Sequence, residues 1–269
     1  MDNTAERAAR DLAGLREARP LVHNITNFVV MNFTANALLA MGASPVMAHA
    51  EAEVEEMTAL AGALVLNIGT LTEEWVASMI RAGRAAAGRR TPVVLDPVGA
   101  GATRLRTASA LRIIAEVKPN VIRGNPSEIL ALGSASVTTR GVDSTRTVEG
   151  AAAHAVRLAA DLGATLAATG AVDLVTDGAR TLRVHNGHAL MGRVTGTGCA
   201  ATAAIAAFLA VDPDPVAAAA GALAYFGLAG EIAARKAAAP GSFMIALIDA
   251  LYTITPEDLL AGCRIEAAA

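Results

Sequence analysis

Short apolar, β-branched runs alternate along the chain with longer Ala- and Leu-rich segments. That alternation predicts βαβ units around a mainly parallel sheet, an α/β fold with helices on both faces. The runs at 63–68, 92–96, 121–123 and 165–168 read as strands. Segments 24–40, 50–61, 72–87, 108–117, 148–162, 199–210 and 215–236 read as helices. Runs 171–176 and 181–185, separated by Asp177-Gly178-Ala179-Arg180, read as a hairpin that gives the sheet an antiparallel edge. No Pro/Gly/Ser linker and no internal repeat interrupts the pattern, so residues 1–269 read as a single domain.

Polar residues gather where the predicted strands end. Asn67, Asp96, Arg123 and Thr169 each follow an apolar run, and open α/β sheets bind ligands beyond the carboxyl ends of their strands. A further feature points to the same edge. Gly192-Arg193-Val194-Thr195-Gly196-Thr197-Gly198-Cys199 leads straight into an Ala-rich helix. Free N–H groups at a helix start, together with the helix dipole, make an anion site, and phosphate is the usual anion. Cys199 falls at the expected first helical position, where the dipole favours thiolate and lowers the thiol pKa. Three roles stay open for it: lining a phosphate site, attacking a substrate with His185 or His188 as partner, or packing.

Composition narrows the picture. Net charge is −3, from 22 basic and 25 acidic residues; with no basic stripe, nucleic-acid binding has no support. Two distant cysteines match no zinc or redox spacing, which suits a reduced, cytoplasmic setting. The charged N-terminus has no secretory core. The most apolar run, 216–230, falls short of the ~20 residues that span a bilayer, so it reads as a buried helix and no membrane role is expected. With aromatics at only 3%, the core must be Ala, Val, Leu and Ile, and its elements must approach closely.

Asp96 and Glu128 are hard oxygen donors of the kind that hold Mg²⁺ beside nucleotide phosphates; equally, Asp96 fits a turn cap and Glu128 a helix first turn. Arg123 needs an anionic partner, either a phosphate or Glu128. No Gly-x-x-x-x-Gly-Lys-[Ser/Thr] occurs, and Gly99-Ala100-Gly101 lacks the rest of a dinucleotide fingerprint. Blocks 20–32 and 42–49 mix amides with soft apolar groups, as in a pocket for a small uncharged heterocycle; locally they fit a helix start or a strand.

His23-Asn24-Ile25-Thr26-Asn27, Ser44-Pro45-Val46-Met47-Ala48-His49, Asp96-Pro97-Val98-Gly99-Ala100, Arg123-Gly124-Asn125-Pro126-Ser127-Glu128 and Gly196-Thr197-Gly198-Cys199 follow one another in a single order. In this the chain closely resembles the hydroxyethylthiazole kinase family of the ribokinase-like superfamily, from about Pro20 to the last helices. The resemblance implies ATP-dependent phosphorylation of the hydroxyl of 4-methyl-5-(2-hydroxyethyl)thiazole, in thiamine biosynthesis and salvage. It implies that Arg123 and Thr169 contact the nucleotide, that Met47, Gly196 and Asn27 contact the thiazole, and that Asp96 and Glu128 are the Mg²⁺-associated acids. Gly196, Thr197 and Gly198 would form the anion hole, with Cys199 where most ribokinase-like enzymes carry an aspartate base. It also implies a homotrimer with sites near subunit contacts.

Overall fold

The structure is a computed structural model that describes residues 4–136 and 148–268. The strands are β1 (Leu21–Ile25), β2 (Ser44–Val46), β3 (Ala63–Asn67), β4 (Val93–Asp96), β5 (Val121–Gly124), β6 (Thr165–Ala168), β7 (Asp173–Thr176), β8 (Thr181–Val184) and β9 (Ile265–Ala267). They form one sheet in the order β2-β1-β3-β4-β5-β6-β7-β8-β9. The first six run parallel and the last three add antiparallel. The expected hairpin is β7–β8, closed by a backbone bond from Asp177 N–H to the Arg180 carbonyl.

Alternation along the strands sorts side chains by size. Val22, Ala63, Val65, Val94, Val121 and Ala167 face one side. There the helix α8 (Thr197–Leu209) lies buried between the sheet and α9 (Pro215–Lys236). Small side chains on both surfaces allow that close approach. Helices α1 (Thr4–Ala18), α2 (Met31–Met41), α10 (Pro240–Thr253) and α11 (Pro256–Gly262) complete this layer. Leu64, Leu66, Leu95, Ile122 and Leu166 face the other side, against α4 (Glu73–Arg89), α5 (Arg104–Val117), α6 (Pro126–Ser136) and α7 (Val148–Leu162). Helix α9 is long and apolar enough to cross a membrane, but 83% of its most apolar stretch is buried inside the fold.

Several boundaries differ from the sequence reading. Segment 24–40 is not one helix: β1 ends at Ile25 and α2 begins at Met31. The strand carries two buried polar side chains, His23 satisfied internally and Asn24 through its Nδ2 alone, with Oδ1 left without a partner. His23 bonds the Ala48 carbonyl and Thr58 Oγ1, and Asn24 Nδ2 donates to the Val22 carbonyl. Segment 50–61 shortens to α3 (Val54–Leu60) and 108–117 lengthens to α5, whose start is capped by Thr103. Of the readings left open for block 42–49, the strand holds at β2.

Candidate active site

The carboxyl ends of β3, β4, β5 and β6 bring Asn67, Asp96, Arg123 and Thr169 to one edge of the sheet, and the start of α8 faces them. Gly196 is the N-cap of α8, with φ +88°, and a Cβ there would meet Val30 and Phe33 at 3.1 and 3.2 Å. Glycine suits the position on both counts. The first helical bond runs from Ala200 N–H to the Gly196 carbonyl at 2.8 Å. The N–H groups of Thr197, Gly198 and Cys199 lie ahead of that ladder, in the turn whose donors a helix leaves free.

Asp96 is fully buried. Its Oδ2 accepts from Thr202 Oγ1 at 2.8 Å and from Asn67 Nδ2 at 2.9 Å, and Arg123 Nη1 stands 3.8 Å away. Its Oδ1 is buried without a partner. Loss of water pushes the Asp96 carboxyl up to about 6, against the pull of Arg123. Arg123 Nη2 donates to Thr169 Oγ1 at 2.5 Å. A Cβ on Gly198 would fall 2.7 Å from Arg123 Nη1, so the guanidinium lies directly over the glycine turn. The acid beside Arg123 is Asp96 and not Glu128, whose oxygens accept from backbone N–H groups.

Glu128 is held by backbone. Its Oε1 accepts from Gly99 N–H and its Oε2 from Asn125 N–H, both at 2.8 Å, while Asn125 Oδ1 accepts from Glu128 N–H at 3.0 Å. This reciprocal cap satisfies two donors at the start of α6. Glu128→Gln would turn one acceptor into an N–H facing an N–H, at a cost of about 1–3 kcal/mol. Thermal unfolding should therefore show a Tm lower by roughly 3–8 °C, alongside reduced turnover; an unchanged Tm would show that the replaced backbone bond adds nothing to stability.

Cys199 is the third residue of α8, not the first. Its thiol is pushed up to about 11, chiefly by burial and then by the negative charge of Asp96. The lowered pKa expected from the dipole is thus overturned by desolvation. Asn27 Nδ2 donates to Sγ at 3.6 Å and to Asn67 Oδ1 at 2.8 Å. Neither histidine considered as a partner for Cys199 bonds it: His185 Nε2 bonds Glu266 Oε1, and His188 Nδ1 accepts from Leu190 N–H. Met47 lies just past β2, outside this network of contacts; the neighbouring Ala48 carbonyl is the group bound by His23. Asn67, which joins Asn27 to Asp96, was visible in the sequence only as a polar strand end.

Beside this cluster opens a cavity of about 510 Å³ lined by Arg123, Thr169, Asp173, Thr197, Gly198 and Phe226 among others. A family model described as the hydroxyethylthiazole kinase family matches residues 12–257. The chain belongs to that family. It is 62% identical over 266 residues to the hydroxyethylthiazole kinase of Desulfotalea psychrophila, covering 99% of this chain and 97% of the relative. The solved structure of a hydroxyethylthiazole kinase protein from Pyrococcus horikoshii superposes with a TM-score of 0.91 at 48% identity, over 97% of this chain and 99% of that one. A ribokinase-like superfamily protein from Enterococcus faecalis shares the fold at 16% identity and a TM-score of 0.62, over 88% and 87% of the two chains. The enzyme therefore phosphorylates the hydroxyethyl group of the thiazole with ATP, in thiamine biosynthesis.

Proposed function

We propose that phosphoryl transfer takes place at the start of α8. The N–H groups from Gly196 to Cys199 form an anion hole, Arg123 and Thr169 hold the nucleotide, and Asn27, Met47 and Gly196 border the thiazole. The observation that carries this reading is the position of the Arg123 guanidinium. It borders the cavity beside Thr169, covers Gly198 and stands 3.8 Å from Asp96. A single cation thereby links the nucleotide cavity to the glycine turn, where charge on a transferring phosphoryl group needs fixed donors.

Mg²⁺ accompanies ATP in this reading. The bare, buried Oδ1 of Asp96 is a hard donor, and each Glu128 oxygen keeps a lone pair beyond its backbone bond. Among the described residues no three His, Cys, Asp or Glu side chains gather into a metal cluster, which suits an ion completed by water and substrate phosphates rather than a protein cage. When bound, the ion neutralises phosphate charge.

Cys199 stands beside the acceptor hydroxyl as a neutral thiol at pH 7, given its raised pKa. It is a weak proton acceptor there, and a loose phosphoryl-transfer transition state asks little of a base. Cys199→Ser should keep kcat within about tenfold of the parent, well below the 100-fold or more lost with an essential general base. A folded variant with turnover below about one thousandth would establish obligatory thiol chemistry instead.

The remaining parts of the reading are a single kinase domain over 1–269, supported by the continuous sheet, a cytoplasmic enzyme, and a homotrimer with sites near subunit contacts. Phe28 and Val29, each 64% exposed and next in sequence to Asn27, support the last of these. The deciding experiment is ADP release from MgATP with and without the thiazole alcohol, run with and without chelator. Release that needs both alcohol and Mg²⁺ supports the reading, and release indifferent to chelation removes the metal from it.

A further inference from the structure

Asn67 ends β3 directly opposite Asp96 in the parallel ladder and is buried. Its carboxamide is fixed from both sides. Oδ1 accepts from Asn27 Nδ2 at 2.8 Å and from Gly69 N–H at 2.9 Å, and Nδ2 donates to Asp96 Oδ2 at 2.9 Å. Turning the amide over would set N–H against N–H and oxygen against carboxylate, so one orientation alone satisfies the partners.

The consequence falls on Asn27. Its Nδ2 has two hydrogens; one goes to Asn67 and the other toward Cys199 Sγ. What that side chain has left for a ligand is its carbonyl oxygen. Gly69 reinforces the arrangement, because a Cβ there would fall 2.5 Å from Asn27 Nδ2.

We propose that Asn67 is the positioning residue for the phosphoryl acceptor. It holds Asn27 so that the carbonyl oxygen, not the N–H, meets the substrate hydroxyl beside Cys199, and it ties that geometry to Asp96 on the phosphoryl side. This rests on the reading of Asn27 as a thiazole contact. The distinction matters chemically. A carbonyl accepts the alcohol's hydrogen and leaves the oxygen lone pair free to attack phosphorus. An N–H turned to the same oxygen would take one of its two lone pairs and draw electron density from the other, so a flipped Asn27 would hold the alcohol as a weaker, misdirected nucleophile.

Steady-state kinetics of Asn27→Ala, Asn67→Ala, their double variant and Asn67→Asp test the proposal. Asn27→Ala should raise the thiazole KM about tenfold, and Asn67→Ala, which frees Asn27 to turn over, should raise it comparably and lower kcat by about tenfold, with the ATP KM within about twofold. Because Asn67 acts through Asn27, the double variant should be no worse than about the worse single one. Asn67→Asp keeps the oxygen that accepts from Asn27 but sets a second carboxylate against Asp96. It should hold the thiazole KM within about threefold while kcat falls about 100-fold. Additive effects in the double variant overturn the proposal. So does a thiazole KM in Asn67→Asp raised as far as in Asn27→Ala, which decides the matter even if Asn67→Ala fails to fold. An unchanged thiazole KM in Asn27→Ala removes the reading of Asn27 itself; a raised one with additive coupling removes only the role of Asn67.

Discussion

Arg123→Ala should lower kcat by about three orders of magnitude, the scale on which a transition-state arginine contributes to phosphoryl transfer. Two losses combine. The guanidinium leaves the boundary between the proposed nucleotide cavity and the glycine turn, where it bonds Thr169 and overlies Gly198. Asp96 also loses the cation that most strongly opposes its desolvation. Arg123→Lys should recover little. A compact ammonium on a flexible stem does not reach Thr169 and Asp96 together as a planar fork does. The thiazole KM should stay near that of the parent enzyme, because Asn27 and Cys199 belong to the other half of the site. Stopped-time assays of both variants, with circular dichroism to confirm the fold, decide the point: turnover within about tenfold of the parent would remove Arg123 from the transition state.

The strands that place the site were legible because they are short apolar runs with a polar residue at the end. Asn67, Asp96, Arg123 and Thr169 all stand where that pattern put them. The glycine turn was legible for a related reason: an Ala-rich segment after Gly196 has little choice but a helix. What escaped was whatever depends on contacts distant in sequence. Strand β1 holds His23 and Asn24 in its interior, and only the Ala48 carbonyl and Thr58 make the histidine acceptable there. No local periodicity encodes that. Helix α1 is hard to see in the sequence because its charges dominate the segment, although Ala8, Leu12 and Leu15 form its buried face. The Cys199 pKa moves opposite to the dipole expectation for the same physical reason. Its position near a helix start is local, but its burial beside Asp96 comes from the packing of α8 on β3 and β4.

The site is thus assembled from side chains that satisfy one another before any ligand arrives. Asn27, Asn67, Asp96 and Thr202 form one hydrogen-bonded series, and Arg123 with Thr169 borders it. Such a network holds its groups in place at the moment of reaction, with little reorganisation left to do. It also retains an expense. A carboxylate with a bare oxygen sits in the interior, and the protein keeps it there although the fold alone would be better off without its charge.

Asp96→Asn should separate those two requirements. The Asn oxygen accepts from Thr202 and Asn67 as Oδ2 does now, and the amide nitrogen takes the place of the unpartnered Oδ1. Turnover should fall by about three orders of magnitude with the loss of the charge that stands by Arg123 and, in the proposed reading, serves the Mg²⁺ beside the nucleotide phosphates. Stability should move the other way. Burial raises the Asp96 carboxyl from its ordinary value to about 6 in the folded enzyme, so between the unfolded and folded pKa values the folded chain binds more protons. The associated stability is fully present below the unfolded carboxyl pKa and lost as pH rises through about 6. Asp173 and Asp11, pushed up to about 6 and about 7 chiefly by burial, act in the same direction, and His23, lowered by burial, offsets part of the three. The parent enzyme, free of nucleotide and Mg²⁺, should therefore unfold at a higher temperature at pH 5 than at pH 7.5. Asp96→Asn should gain up to about 3 kcal/mol at pH 7.5, the free energy of a two-unit shift, and show a shallower pH dependence. It should lose the increase in Tm that MgATP gives the parent, since ligand stabilisation requires binding to the folded state. Differential scanning fluorimetry across pH, with and without MgATP, reads all three effects. A variant less stable than the parent at pH 7.5 would mean that the ionised carboxylate holds the fold together, and that its burial is no expense at all.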